Sequence, residues 1–485
     1  MSPRRLLRPI VGILTLGVGA LGASGCATNP VSGKTQLSLY SEAEEVQLGR
    51  AEDQKTVAQI GLYGGDTLQA YVQQLGMQLA GSTERPKLPW TFRVLDDASV
   101  NAFALPGGYV YVTRGILTHL TSEAELATVI GHEIGHVTAR HSVNQLSKAT
   151  MANLGLSAAA ILAGSQELAT LGGAGLEVLF AKFSRNDETQ ADSLGVRYAF
   201  QGGFDPRPMA DVMTMLGRVG GAEGGRLPNW LASHPAPENR RQQIEKQVAA
   251  LPGDLSRTAV NRDEYLTRLR DMEFGDNPRE GFFGGAAFYH PQLKFSMRFP
   301  QGWQAENTRS SVLAMSPDNS AAISLALAEG RDAASARDAF FGSEGIQAGG
   351  NWRSELALPA SGGYFQAATK DGPLQGLAAF VSHGGQVYRL LGFATNAGWQ
   401  KHGGALEAAV ASFGELKDPQ LLAVEPKKLA LVRLPEAMTL QEFAERYPST
   451  VPVETLALIN QVQPGDTLPA GMLVKRVVGG VLPKP

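Results

Sequence analysis

Apolar and polar positions change period several times along the chain, and each change marks an element. From Ser41 the stretch SEAEEVQLGRAEDQ reads as a helix, its acids gathered at the N-terminal end where the helix dipole favours them. A Gly-Gly turn precedes a second helical run, Leu68 to Leu79. Phe92 to Leu95 reads as a strand and Gly107-Gly108 as a turn. Tyr109 to Val112, rich in aromatic and β-branched residues, reads as a further strand. Ser122 and Glu125 stand as an S-x-x-E capping box ahead of Leu126, Val129, Ile130 and Val137, whose spacing predicts a helix with one buried stripe. Residues 151–180, dominated by Ala, Gly and Leu, predict a helical hairpin that packs on the domain or leans on a membrane. Gln166, Glu167 and Gly172-Gly173 interrupt it before it reaches spanning length. An acidic helix follows from Asp187 to Phe200, closed by Gly202-Gly203 and Pro206.

The first domain closes near Leu251-Pro252-Gly253, and a polar connector runs over residues 253–285. From Phe288 the texture shifts to short alternating runs such as KFSMRFP, AAISLALAE and VYRLLGFAT, with a helix at Gly404 to Phe413. These predict a mostly antiparallel α+β module over 286–418, whose opening FYHPQLKFSMRFPQGWQ resembles modules of the PsbP type. The tail, 424–480, reads strand, helix, helix, strand. Its TLQEFAERY, VETLALINQV and LPAGMLVKRV resemble a LysM domain, although LPEAMTL replaces the usual opening turn.

At 485 residues the chain holds several domains, and 43% apolar with 18% charged residues is the balance of a folded soluble protein. The formal charge is -3, and setting aside Arg4, Arg5 and Arg8 leaves -6. A mildly acidic body without a basic stripe excludes nucleic acid as the expected partner. Those three arginines precede an apolar run, Ile10 to Leu21, and the small residues Gly22 to Gly25, the order of a secretory signal over residues 1–25. Cys26, the lone cysteine, has no internal disulfide partner. Its setting ASGC resembles a bacterial lipobox, which implies lipidation of Cys26 and a bilayer anchor, with residues 26–40 as the tether. A chance cysteine beside an ordinary cleavage site is the other reading. Ala27 after the cysteine implies, by the same resemblance, the outer membrane.

The chemistry concentrates in VIGHEIGHVTARH, residues 129–141. His132 and His136 are four apart and share one helix face, with Glu133 one step round. Two imidazoles so spaced offer nitrogen ligands to one Zn²⁺, and the glutamate between them reaches a water at the metal as general base. A catalytic zinc needs a third protein ligand, and SRNDETQAD (184–192) supplies the best candidate, Glu188. Asp192, one turn on, stands ready to accept the free ring N–H of a ligand histidine. His141 and His119 read as structural. Tyr109 to Val112 reads either as an edge that pairs with an extended peptide or as a buried sheet strand, with Asn101 and Ala102 lining the same cleft.

GHEIGHVTARH, SRNDETQAD and SHPAPENR together resemble the HtpX/CAAX-prenyl-protease type of zinc metallopeptidase, and within it the BepA-like periplasmic lipoproteins. NPVSGKTQLSLYSEAEE and NAFALPGGYVYVTRGIL fit that subgroup. The resemblance covers about Asn29 to Leu251. It implies an α+β chain whose domain at 41–252 is a mainly helical zincin-type (gluzincin) metallopeptidase with a small sheet. It implies one zinc held by His132, His136 and Glu188, Glu133 as the base, and Asp192 behind the ligands. It places His234 near the metal, either polarising the substrate carbonyl or filling the open position in a latent form. Arg240 is expected to hold peptide or stabilise the oxyanion. The implied activity is hydrolysis of misfolded or stalled envelope proteins in the bacterial periplasm, with peptidoglycan or outer-membrane assembly machinery as further partners. A chaperone or scaffold with a latent metal site, and a wall-binding lipoprotein, are the competing readings.

Overall fold

The computed structural model describes residues 26–162, 182–222, 230, 234, 239–369 and 372–483. The expected signal at 1–25 and residues 163–180 of the hairpin expected at 151–180 lie outside them. The chain divides into two units, residues 1–268 with 457–463 and residues 269–456 with 464–485.

The first unit begins with a hairpin, β1 (Cys26–Thr28) antiparallel to β2 (Thr35–Leu37). The segment read as a tether is therefore folded onto the unit that follows it. Asn29 closes its turn by accepting the N–H groups of Val31 and Ser32 at 2.9 and 3.0 Å, and donates from Nδ2 to the Ala139 carbonyl at 3.1 Å. The Ser147 hydroxyl accepts the N–H of Leu39.

Helix α1 (Glu42–Ile60) starts where the acid-rich run predicts, with Ser41 and Glu44 capping each other. Glu45 does something the dipole reading misses. It lies buried, and its carboxylate takes both Arg85 nitrogens at 2.9 Å, Arg140 Nε at 3.0 Å and the Gly107 N–H at 3.2 Å. One carboxylate thus joins α1 to three segments distant in sequence, and each buried charge has partners, as burial requires.

Helix α2 (Asp66–Ala80) leads to a three-stranded sheet: β3 (Thr91–Leu95), β4 (Ala102–Leu105) and β5 (Tyr109–Thr113), in the order β3-β5-β4. β5 pairs parallel to β3 and antiparallel to β4, and every one of its residues is buried. Of the two readings of Tyr109 to Val112, the buried central strand is the one observed. The outer strands are β3 and β4, and β4 begins at Ala102. The turn between β4 and β5 uses Gly107 at φ 80°, where a Cβ would meet the Val46 Cα at 2.6 Å, so only glycine fits.

Then come α3 (Arg114–His119), α4 (Glu123–Thr138), α5 (His141–Leu162), α6 (Arg185–Gln201), α7 (Met209–Ala222), α8 (Arg240–Ala249) and α9 (Arg262–Arg268). Helix α4 was expected to bury one stripe. It is instead buried on all sides from Ala124 to Thr138, the mark of a central helix. Its Ser122 cap accepts the Glu125 N–H as expected, while the Glu125 carboxylate takes the N–H and hydroxyl of Thr121 at 2.6 and 2.7 Å.

The second unit is built round a seven-stranded antiparallel sheet whose order runs 304–307, 311–315, 321–328, 386–395, 372–383, 360–369, 346–351. Helix Asn396–Ala411 packs there, longer than the Gly404 to Phe413 expected because Thr395 caps it eight residues earlier than the glycine-rich sequence advertises. The tail has the expected element order, with strand Lys427–Arg433 antiparallel to Leu473–Gly479 and helices Leu440–Arg446 and Val453–Ile459 between them in sequence. Strand Glu273–Phe274, from within the expected connector, joins that sheet. Sequence patterning and structure agree on an α+β chain.

Candidate metal centre

Two helices carry the site, and glycine sets the distance between them. Helix α4 brings His132, Glu133 and His136, and α6 brings Glu188 and Asp192. They touch backbone to backbone: a Cβ on Gly195 would sit 2.9 Å from the His132 nitrogen, and one on Gly131 3.1 Å from the Gly195 carbonyl. Ordinary side chains there would hold the helices apart and move the α6 acids away from the α4 imidazoles. Gly195→Ala is therefore expected to destabilise the protein by about 1–3 kcal/mol, as overpacking does. It should also weaken metal binding, which metal-free melting and a chelator titration read separately.

Ser184 begins α6 with Asp187 in a reciprocal capping box, three residues before the Asp187 start read from sequence. One turn of helix then puts Glu188 and Asp192 on the face toward α4, both buried. His132, His136, Glu188 and His234 converge, with one ligand atom from each lying within 4.8 Å of all the others. His132 Nε2 is 3.0 Å from His136 Nε2 and 3.4 Å from His234 Nδ1. Glu188 Oε1 is 2.9 Å from His234 Nδ1 and 3.5 Å from His136 Nε2, and its Oε2 is 3.7 Å from His132 Nε2. All four side chains are buried.

These residues fit a divalent metal on their own chemistry. His132 Nδ1 faces Asp192 Oδ1 at 3.0 Å, and an ionised carboxylate only accepts, so the ring proton sits on Nδ1 and Nε2 presents a lone pair. Glu188 Oε2 is buried without a hydrogen bond. Tetrahedral zinc with bonds of ~2.0–2.1 Å holds neighbouring nitrogens about 3.3 Å apart, close to the spacings here. A set of two or three nitrogens and one carboxylate is what zinc prefers.

Electrostatics support that reading. Burial, then the neighbouring His132 and His234, hold the His136 pKa well below its ordinary value, so it stays neutral and free to ligate. Burial alone would raise the Glu188 and Asp192 carboxyls. His234 beside Glu188 and Arg240 beside Asp192 outweigh it, and both carboxyls are held below their usual range. Burial opposes a charged His234, but Glu133 and Glu188 together raise its pKa.

Of the residues expected at the site, His132, Glu133, His136, Glu188, Asp192, His234 and Arg240 all come together. Arg240 does so in a way its sequence did not announce. Its guanidinium grips Asp192 through two hydrogen bonds of 2.7 Å, lies 3.1 Å from Glu188 Oε2, and donates to the His234 carbonyl at 3.3 Å. Two further residues stand at the centre without a role expected there. Trp230 donates from Nε1 to Glu133 Oε1 at 3.0 Å, stacks on His234 with centroids 4.8 Å apart, and carries Arg240 over its ring. The only hint was its place four residues before His234. His141, read as structural, contacts His136 directly.

The comparisons with known proteins agree with this centre. The sequence profile of Peptidase family M48 matches residues 66–248, the span that contains both helices and Arg240. The Beta-barrel assembly-enhancing protease of Escherichia coli (strain K12) is 29% identical over 279 residues, which are 56% of this chain and 57% of that protein. The chain thus spans little more than half the length of that relative. The Mitochondrial metalloendopeptidase OMA1 of Schizosaccharomyces pombe is 30% identical over 249 residues, 49% of this chain and 71% of that protein. Among solved structures, the solution structure of cyanobacterial PsbP from Synechocystis sp. aligns at a TM-score of 0.22 and 12% identity over 28% of this chain and 94% of that one, a likeness too slight to carry an argument. The buried histidines and glutamate, the profile and the metallopeptidase relatives lead to one assignment: the chain belongs to peptidase family M48.

Proposed function

We propose that the chain is a zinc-dependent endopeptidase acting on unfolded or misassembled proteins of the bacterial envelope. The observation that carries the activity is the buried convergence of His132, His136 and Glu188 with Glu133 beside them. His132, His136 and Glu188 would hold a zinc ion, which would supply Lewis acidity for the attacking water and the scissile carbonyl. Glu133 takes the proton of the attacking water and delivers it to the leaving amine. Asp192 fixes the His132 ring, and Arg240 fixes Asp192. On this geometry we assign Arg240 to the metal ligands rather than to the peptide or the oxyanion.

His234 decides whether the site is open. Catalytic zinc keeps one position for substrate, whereas a fourth protein ligand fills it. With His234 Nδ1 among the other ligand atoms and Trp230 on Glu133, we read the described arrangement as a latent form. Of the two roles expected for His234, occupying the open position is the one its distances favour. Activation then requires the Trp230 and His234 side chains to leave Glu133 and the ligand atoms.

We assign the substrate backbone to the outer strand β4. Strand addition recognises extended peptide with little regard to sequence, which suits unfolded substrates. Just before β4, the Asn101 side-chain oxygen is buried and without a hydrogen bond.

The envelope setting rests on the signal-like order of residues 1–25, on Cys26 in ASGC, and on a bacterial relative whose name speaks of β-barrel assembly. Among the described residues no helix is long and apolar enough to cross a membrane. A lipid on Cys26 would attach the bilayer to a chain end already folded against the catalytic unit. The LysM-like tail is the part we assign to cell-wall contact.

Casein cleavage by the full mature chain tests the activity. Cleavage should stop on chelation and return with added zinc, and His234→Ala should raise it above wild type. Cleavage that survives chelation would refute the metallopeptidase reading. A His234→Ala protein slower than wild type, with its zinc intact, would refute latency and return His234 to a role at the carbonyl.

A further inference from the structure

Metal-binding histidines need their second ring nitrogen held, and the two histidines of α4 are held by unlike partners. His132 uses the charged pair Asp192–Arg240. Among the described residues, no carboxylate stands behind His136. Its Nδ1 lies 3.1 Å from Nδ1 of His141, whose Nε2 lies 3.0 Å from Gln190 Oε1 and 3.6 Å from Asp187 Oδ1. We propose that His141, backed by Gln190, is the positioning residue that fixes His136 as a metal ligand.

The proton count settles how the contact works. His136 turns Nε2 toward the other ligands, so that nitrogen must offer a lone pair and the ring proton must sit on Nδ1. That proton needs an acceptor, and a ring nitrogen accepts only when its own proton is on the other side. Gln190 and Asp187 provide the reason for it to be there, because both place an acceptor oxygen near His141 Nε2. The proton on His141 is drawn to Nε2, the lone pair is left on Nδ1, and His136 is held in the tautomer that ligates. With the amide of Gln190 reversed, an N–H would face His141 Nε2, which would push the His141 proton to Nδ1 and the His136 proton to Nε2, where it blocks a metal.

Local backbone brings His141 to this place. Helix α4 ends at Thr138 and α5 begins at His141, and the turn between them puts Arg140 at φ 59°. The left-handed region is strained for a non-glycine residue. Arg140 is kept there by Glu45, at 3.0 Å from its Nε, and by the Tyr40 carbonyl, 2.8 Å from its Nη2. The sharp turn folds the chain back so that the sixth residue of HVTARH meets the first. Using a neutral imidazole rather than a second carboxylate adds no further negative charge to a centre that already holds Glu133, Glu188 and Asp192.

This inference rests on the metal reading above, and its test separates the two. Zinc affinity of the full mature chain is measured by competition with a chromophoric chelator, beside the melting temperature of each protein without metal. His141→Phe, which keeps a ring and removes both nitrogens, should lose about 10–100-fold in zinc affinity. Gln190 is half-buried, so changes there disturb packing less than changes at the buried His141. Gln190→Glu, which keeps an acceptor, should bind zinc as wild type does, and Gln190→Leu should bind it more weakly. Equal affinity in wild type, His141→Phe and Gln190→Leu would overturn the relay. So would a His141→Phe protein that melts early but binds zinc normally while folded, since that is a structural role. If His141→Phe does not fold, the Glu and Leu variants at 190 decide alone. A wild-type chain that binds no zinc would instead defeat the metal reading.

Discussion

Glu133→Gln should leave zinc bound and the fold intact while lowering peptide cleavage by about 10²–10⁴-fold, the usual worth of a general base. The substitution is nearly isosteric, and an amide oxygen can still accept the Trp230 N–H that Glu133 Oε1 takes at 3.0 Å. What it removes is the ability to take and return a proton. Because Glu133 is not among the converging ligand atoms, metal content is a built-in control. Activity should be assayed at saturating zinc in a background that is already open, such as His234→Ala, so that latency does not hide the loss. Residual cleavage within threefold of the parent would mean that another group carries the proton.

Glu45→Ala should be the most damaging substitution for the fold outside the metal centre. It strips the buried Arg85 of its carboxylate partner on the inner side and, among the described residues, leaves Arg140 the Tyr40 carbonyl. Removing one partner of a buried ion pair costs about 3–5 kcal/mol, because a charge is stranded away from water. Arg85 is buried while its second partner, Glu42, is exposed, so Glu42 makes good little of the loss. The same change releases Arg140 from its left-handed turn, so the penalty should extend to zinc affinity through His141. Denaturant unfolding of the metal-free protein measures the first effect, and the chelator titration measures the second. A loss of stability below about 1 kcal/mol would mean that solvent reaches this network more freely than its burial indicates.

These two residues illustrate what could and could not be read from the sequence. His132, Glu133 and His136 were legible because their relation is local: a helix repeats every 3.6 residues, and i, i+4 spacing fixes a shared face whatever else the chain does. Glu188 and Asp192 were legible for the same reason once a third ligand was required. Glu45 was visible only as one acid among several at a helix start, because its partners Arg85, Gly107 and Arg140 lie 40, 62 and 95 residues away. Asp53 was overlooked likewise, and it binds Arg93 and the Tyr111 hydroxyl. The strand Tyr109 to Val112 was recognised, but its place in the sheet depends on which strands flank it, and alternation alone does not encode strand order. The polar stretch after Cys26 looked like a linker by composition, yet Asn29 and Gln36 use that polarity to bind the carbonyl of Ala139 at the end of α4. His141 was set aside because five-residue spacing does not continue the ligand face of a helix. It reaches His136 because the helix stops and the chain turns left-handed at Arg140.

Metal analysis of the purified mature chain bears most directly on the centre. Zinc should be present at about one per chain, and His136→Ala and Glu188→Ala should each reduce it sharply after dialysis against a weak chelator. A wild-type chain without zinc, or one whose zinc survives both substitutions, would contradict the site described here.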